Sequence, residues 1–258
     1  MSWELVLSED DLASYKRNIS LLEERVVQNF PDIYRNPAIL SALRAVPRHL
    51  FVNQGYKTLA YADCALPTLG GLTTSAPSVI ARMIFHAGVV KGSRVLEIGT
   101  GTGYQTAVLS EMGARVFTIE IDRSVAETAA AILARLGYKM DRRSTKSRQE
   151  SARRYLELRR IFPGRGHVEV FWGNGGKGMA AKAPFDAIII AASVSKLDQL
   201  SGLAPQLSAR DGRMVVPVGP RHDQTLTIVE RNGERFHCSL LEGISFDFLR
   251  FVIGKDST

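Results

Sequence analysis

The chain has 258 residues, of which 45% are hydrophobic, 8% aromatic and 23% charged; this is an ordinary globular composition with enough apolar side chains for a full core. Two cysteines, Cys64 and Cys238, exclude a disulfide framework and suit a reducing cytosol, and five scattered histidines, none paired at ligand spacing, predict no structural metal. The formal net charge of +7 can attract acidic surfaces or nucleic acid, depending on where it is concentrated.

The first residues, MSWELVLSEDDL, are acidic where a signal peptide is basic, and no run of about 18 apolar residues exists. The expectation is a cytoplasmic protein without a membrane partner. Asp10–Val46 reads as helical, with Ile19, Leu22, Val26 and Phe30 on one face. Pro31 and Pro37 interrupt it, and Ile39, Leu40 and Leu43 suggest a second short helix before Pro47. Ala65–Pro77 is rich in small and turn-forming residues and reads as a loop entering a helix at Ser78–Phe85.

From Lys91 the pattern changes to strand and helix in alternation. Strands are predicted at Arg94–Ile98, Arg115–Ile121, His167–Trp172, Phe185–Ala191 and Arg213–Val218, and helices at Tyr104–Met112 and Ser124–Leu136. This implies an α/β, Rossmann-like, doubly wound and mostly parallel sheet covered on both faces, with helices N-terminal to it. Gln224–Glu230 and Glu234–Leu241 alternate around Asn232-Gly233, which predicts an antiparallel C-terminal hairpin at the sheet edge. One domain spans 1–258: a helical and loop region over 1–90, then the core over 91–258.

One segment does not fit that core. Tyr138–Gly166 holds ten Lys or Arg against three acids, a surplus of seven that equals the net charge of the chain. A connection this long is unusual in a compact α/β unit. Ala152, Tyr155, Leu158 and Phe162 can form one side of a short helix there. The segment is either a solvated loop or a docking site for an acidic partner. It lacks regular aromatic interleaving, so a nucleic-acid partner is not expected.

The stretch RVLEIGTGTGYQTAVL (Arg94–Leu109) sets strand against helix through three alternating glycines. A dinucleotide loop prefers G-x-G-x-x-G, but here position 104 is Tyr and the third glycine is Gly103. No G-x-x-x-x-G-K-S/T phosphate loop is present. The spacing favours a zwitterionic ligand without pyrophosphate. It resembles the first motif of class I S-adenosylmethionine methyltransferases, in which Gly99, Thr100, Gly101 and Gly103 would let backbone approach the methionine portion. Glu97 would sit near the ligand's ammonium group. Glu120, with Ile121 beside it, would offer two oxygens to the ribose hydroxyls.

The resemblance extends to a narrower family. AVPRHLF (Ala45–Phe51), AYADCALP (Ala60–Pro67), GLTTSAPSVIARM (Gly71–Met83), APFDAIIIAAS (Ala183–Ser193) and GRMVVPVG (Gly212–Gly219) are similar, in order and spacing, to protein-L-isoaspartate O-methyltransferases. Such an enzyme uses S-adenosyl-L-methionine to methylate the α-carboxylate of an isoaspartyl residue in a protein or peptide, and the ester then closes to a succinimide. A carboxylate with an ordinary pKa near 3.5 is already ionised at neutral pH, so no strong general base is required. By the same resemblance Ser75 is the active-site serine that orients the carboxylate, and Thr73 and Thr74 shape the wall. Ser75 can also cap the helix that begins near Ala76, a role that can coexist with the first. Asn174-Gly175 stands where the family has aspartate-glycine, so the Asn174 amide oxygen would receive the adenine amino group. Asp63 can be a turn residue or an anchor for this loop, with the turn favoured, and Asp186, at the start of a strand, either only closes a turn or does more.

Three features depart from the family. Leu72 replaces a glutamine, the basic segment is an addition, and Ile244-Ser245-Phe246-Asp247-Phe248 replaces a V-R-F-V-P substrate segment, leaving Phe246 as its substrate-binding match. These keep open a carboxyl methyltransferase of one dedicated peptide or protein, a nucleic-acid-associated methyltransferase, and an adaptor that binds donor without turnover.

Overall fold

The computed structural model describes residues 9–68, 71–140, 166–220 and 223–241. The helices are α1 (Glu9–Asn29), α2 (Pro37–Ala45), α3 (Pro77–His86), α4 (Tyr104–Glu111) and α5 (Arg123–Arg135). The strands are β1 (Leu66–Pro67), β2 (Thr73–Thr74), β3 (Arg94–Ile98), β4 (Arg115–Glu120), β5 (Lys139–Met140), β6 (His167–Trp172), β7 (Ala187–Ile190), β8 (Arg210–Val218), β9 (Thr225–Asn232) and β10 (Arg235–Leu241). The strands and helices expected from Arg94 to Leu136 and from His167 to Leu241 are present, with ends shifted by a few residues, and the short helix expected around 152–162 lies outside the described residues.

The prolines act as starts more than as breaks. Pro31 opens a 3₁₀ turn, and Pro37 and Pro77 stand in the first turns of α2 and α3. The missing N–H costs nothing there, because no carbonyl precedes it to accept. Leu22, Val26 and Phe30 of the first helical region are buried as the spacing requires.

The main sheet has eight strands in the order β10-β9-β8-β7-β3-β4-β6-β5. Strands β8 through β5 in that order are parallel, and β9 and β10 add antiparallel at one edge. Alternate residues feed two cores. Val95, Val116, Val168, Ile189 and Val215 face one cluster, which also contains the helical side chains of α1–α5. Leu96, Phe117, Ile188, Met214 and Val216 face the other. Among the described residues, this second face is covered by short 3₁₀ turns, Leu197–Leu200 and Ala204–Gln206, in place of the α-helix that a doubly wound sheet usually carries there. The turns present Leu200, Leu203 and Leu207 to the sheet, and these are enough to bury it.

Two boundaries differ from expectation for local reasons. Asp211 adopts a positive φ of 56°, and a register shift between Arg210 and Gly212 lets β8 begin three residues early. The hairpin turns at Gly233-Glu234, one residue later than Asn232-Gly233, with Gly233 supplying the positive φ. The additional segment is narrower than 138–166. Tyr138 is buried, and Lys139–Met140 pairs with His167–Val168 as the far edge of the sheet. The remainder, 141–165, lies outside the described residues, and so do Phe246 and Asp247.

Candidate active site

Strand β3 lies between β4 and β7, so the connections leaving it and its neighbours diverge at their C-terminal ends. A crevice forms at such a switch point. The cavity here is lined by Ile98, Gly99, Thr100, Gly101 and Thr102 after β3, by Ile119, Glu120 and Ile121 at the end of β4, by Ala191 and Ala192 after β7, and by Gly175 after β6. It is also lined by Gly71–Ser75 and Ile80 and by Tyr104 and Gln105 of α4. The predicted residues Thr73, Thr74, Ser75, Gly99, Thr100, Gly101, Glu120, Ile121 and Gly175 therefore meet in one space, although they span a hundred positions of sequence.

Glu120 is almost fully buried and shapes the glycine loop. One oxygen accepts from the Gly101 N–H at 2.9 Å; the other accepts from the N–H of Ile121 at 2.9 Å and of Asp122 at 3.1 Å. Gly99 and Gly101 have φ of 95° and 54°, and nothing lies within 4 Å of a Cβ placed on Gly101. Glycine is required there by the backbone conformation rather than by crowding. Thr100 is fixed from below, its hydroxyl 2.6 Å from that of Thr118.

Ser75 follows β2, which pairs with β1 through Leu66–Thr74 and Pro67–Thr73. Its hydroxyl has no hydrogen-bond partner among the described residues, and it does not cap α3. The N-cap of α3 is Ala76, and the Ser78 N–H is bound instead by Asp63 Oδ1 at 2.8 Å. Asp63 also accepts from the Asn29 side chain at the end of α1. Asp63 is thus an anchor between α1, the loop and α3, not merely a turn residue. Asp186 accepts from the Arg94 N–H at 2.8 Å and fixes the entry to β3.

Three predicted cofactor residues stand elsewhere. Glu97 is completely buried beneath the cavity and does not line it. Its oxygens accept from Gln105 Nε2 at 3.0 Å and from the Thr106 hydroxyl. Glu97 thereby holds Gln105, which does line the cavity. Gly103 caps α4, and a Cβ there would approach Leu133 of α5 to 3.2 Å. It allows helix packing and does not face the cavity. Asn174 Oδ1 accepts from the Gly176 N–H at 2.9 Å and so closes its own turn, leaving Gly175 to the cavity. A Cβ on Gly175 would come within 2.4 Å of Ile98 Cγ2. Leu72, Ile80, Tyr104 and Gln105 were not anticipated; only their positions beside predicted strand ends and loops could have indicated them.

The environment of Glu97 has a measurable consequence. Burial pushes its pKa up to about 7, with hydrogen bonds from Thr106, Thr118 and Gln105 pulling part of the way back. Its folded pKa therefore lies above that of an unfolded glutamate. The unfolded chain gives up this proton first, so the stability that Glu97 itself contributes is full below about pH 4.5 and is lost as the pH rises through about 7, by on the order of 3 kcal/mol. The E97Q variant keeps a neutral group of the same shape. In melting curves from pH 5 to 8, the wild type should lose stability relative to E97Q; parallel curves would show that Glu97 ionises normally. A second expectation concerns the packing of Gly103: G103A should lose about 1–3 kcal/mol in denaturant titration, through strain at its φ of 89° and contact with Leu133, while keeping its small-molecule affinity.

Among the described residues no group of three or more His, Cys, Asp or Glu is arranged to hold a metal, and no helix is long and apolar enough to cross a membrane. Comparison with known proteins gives a consistent result. Residues 21–249 match the family of protein-L-isoaspartate(D-aspartate) O-methyltransferases. A protein-L-isoaspartate O-methyltransferase of Gloeobacter violaceus is 40% identical over 195 residues, covering 75% of this chain and 80% of that protein. A solved protein-L-isoaspartate O-methyltransferase superposes with a TM-score of 0.69 at 23% identity, covering 92% of this chain and 66% of its own length. A Plasmodium falciparum protein assigned as a β-aspartate methyltransferase, solved with S-adenosyl-L-homocysteine, gives 0.63 at 18% identity over 90% and 98% of the two chains. At these identities the two structures show a common fold.

Proposed function

Because this chain belongs to the protein-L-isoaspartate(D-aspartate) O-methyltransferase family, we propose that its cavity holds S-adenosyl-L-methionine on the sheet side and an isoaspartyl carboxylate on the Ser75 side. The enzyme is an S-adenosylmethionine-dependent carboxyl O-methyltransferase that acts on L-isoaspartyl residues of proteins and peptides. The observation that carries the residue assignment is the meeting of Ser75, the positive-φ glycines and Glu120 around one cavity.

The residues fit the donor. The Glu120 oxygen that accepts from Gly101 keeps a lone pair for a ribose hydroxyl, while the other already accepts from both Ile121 and Asp122. Gly99 and Gly101 leave the backbone open to close approach, and Ile119 and Ile121 offer an apolar wall to a planar base. When bound, the donor supplies an electrophilic methyl group on a sulfonium. The protein supplies alignment and dryness. The Ser75 hydroxyl donates to one oxygen of the substrate carboxylate, which is already anionic, so no side chain removes a proton. Thr73, Thr74 and Leu72 line the approach, and Gln105, braced by Glu97, also lines the cavity. The helical N-terminal region and the sheet work as one domain, since a single apolar cluster joins Leu22 to Ile228. Both cysteines are free thiols, consistent with a reducing cytoplasm.

The test is transfer of a labelled methyl group to an isoaspartyl peptide and its aspartyl twin. A base-labile ester on the isoaspartyl peptide alone is expected. Intact donor binding with no ester on either peptide would overturn this reading and favour a dedicated substrate or an adaptor.

A further inference from the structure

Arg48 is fully buried, and no carboxylate among the described residues hydrogen-bonds it. Its two terminal nitrogens are spent on backbone carbonyls, while the buried Nε has no hydrogen-bond partner among the described residues. Nη1 donates to Ala60 at 2.9 Å and Ala62 at 3.0 Å, and Nη2 donates to Cys64 at 2.8 Å and Ser75 at 3.0 Å. The cation also lies 5.6 Å from the centroid of the Tyr104 ring, which lines the cavity. Burial presses its pKa down, while Tyr104 and the neighbouring Cys64 and Asp63 favour the charge.

A buried cation held mainly by neutral carbonyls is an expensive way to stabilise a loop. It is, however, a geometrically strict one. A planar fork fixes the directions of four carbonyls at once, which the single ammonium of lysine cannot do. Three of those carbonyls belong to the 60–64 turn, and the fourth is the main chain of Ser75 itself. The turn is fastened independently, because Asp63 binds the Ser78 N–H and Asn29. Arg48 therefore ties Ser75 to a fixed point.

We propose that Arg48 is a positioning residue, whose guanidinium sets where Ser75 stands against the cavity by joining its carbonyl to the 60–64 turn. This rests on the role given to Ser75 above. Displacement of a reacting or orienting group by about 1 Å can cost on the order of 100-fold in rate, so loosening this tie acts on kcat.

The experiment is a double-mutant cycle of R48K and S75A, read by kcat and KM for an isoaspartyl peptide and by donor affinity in calorimetry. R48K is expected to lower kcat about tenfold or more, to leave donor affinity within about threefold, and to have no further effect on kcat in the S75A background. Equal losses from R48K in both backgrounds, or no loss at all, would overturn the inference. S75A as active as the wild type would instead remove the role of Ser75, and the inference with it. Should R48K fail to bind donor, R48A is titrated with methylguanidinium. Recovery of kcat with added methylguanidinium supports the positioning role; recovery of donor binding with no gain in kcat overturns it.

Discussion

Replacing Ser75 by alanine should reduce kcat/KM for an isoaspartyl peptide by about 10- to 100-fold while donor affinity stays nearly constant. The magnitude follows from one hydrogen bond to an ionised group, about 1.5–3 kcal/mol, at 1.36 kcal/mol per factor of ten. The selectivity follows from the architecture. Ser75 comes from the loop after β2, whereas the donor side of the cavity is built by the ends of β3, β4 and β7. Removing a hydroxyl that has no partner among the described residues disturbs neither α3, whose first turn is held by Asp63, nor the glycine loop, which is held by Glu120. Steady-state kinetics beside calorimetry checks both halves. Unchanged kcat/KM would remove Ser75 from the reaction, and a parallel fall in donor affinity would mean that the two sides of the cavity are not separable.

The largest effect on the donor should come from Glu120. E120Q is expected to weaken S-adenosyl-L-methionine and S-adenosyl-L-homocysteine by about 100-fold and to lower the melting temperature. In either orientation an amide sets its own N–H against a backbone N–H, of Gly101 in one case and of Ile121 and Asp122 in the other. An unmet buried donor costs about 1–3 kcal/mol, and when the amide nitrogen faces Gly101 the acceptor open to the ribose is lost as well. The peptide KM, measured at saturating donor, should change little. Full donor affinity in E120Q would place the ribose elsewhere.

How far the site was legible can be judged residue by residue. Gly99, Gly101, Glu120 and Ile121 are where the loop pattern puts them, because a strand running into a helix through alternating glycines forms the same turn whatever surrounds it. Glu97, Asn174 and Gly103 carry equally suggestive residue types but do not line the cavity. Glu97 is directed toward Gln105 and Thr106 of α4, Asn174 satisfies the N–H two residues ahead, and Gly103 is reserved for Leu133. Sequence spacing identifies the turn; it does not say which side chain the neighbouring helix will claim. The basic segment and the Phe246 region remain matters of sequence, since 141–165 and 242–258 are not among the described residues.

From residue order alone came the parallel sheet, the antiparallel hairpin, the helical entry and the glycine turn. Each is a local pattern: period-two apolar residues, 3.6-residue faces, and glycine where φ must be positive. Tertiary structure decided the rest. It brought Ser75 opposite Glu120, set Asp63 against Asn29 and Ser78, and drew the Arg48 guanidinium under four carbonyls. Those contacts join segments distant in the chain, and what fixes them is burial. A polar group taken out of water must find partners in space, and no periodicity along the sequence records which partners it will find.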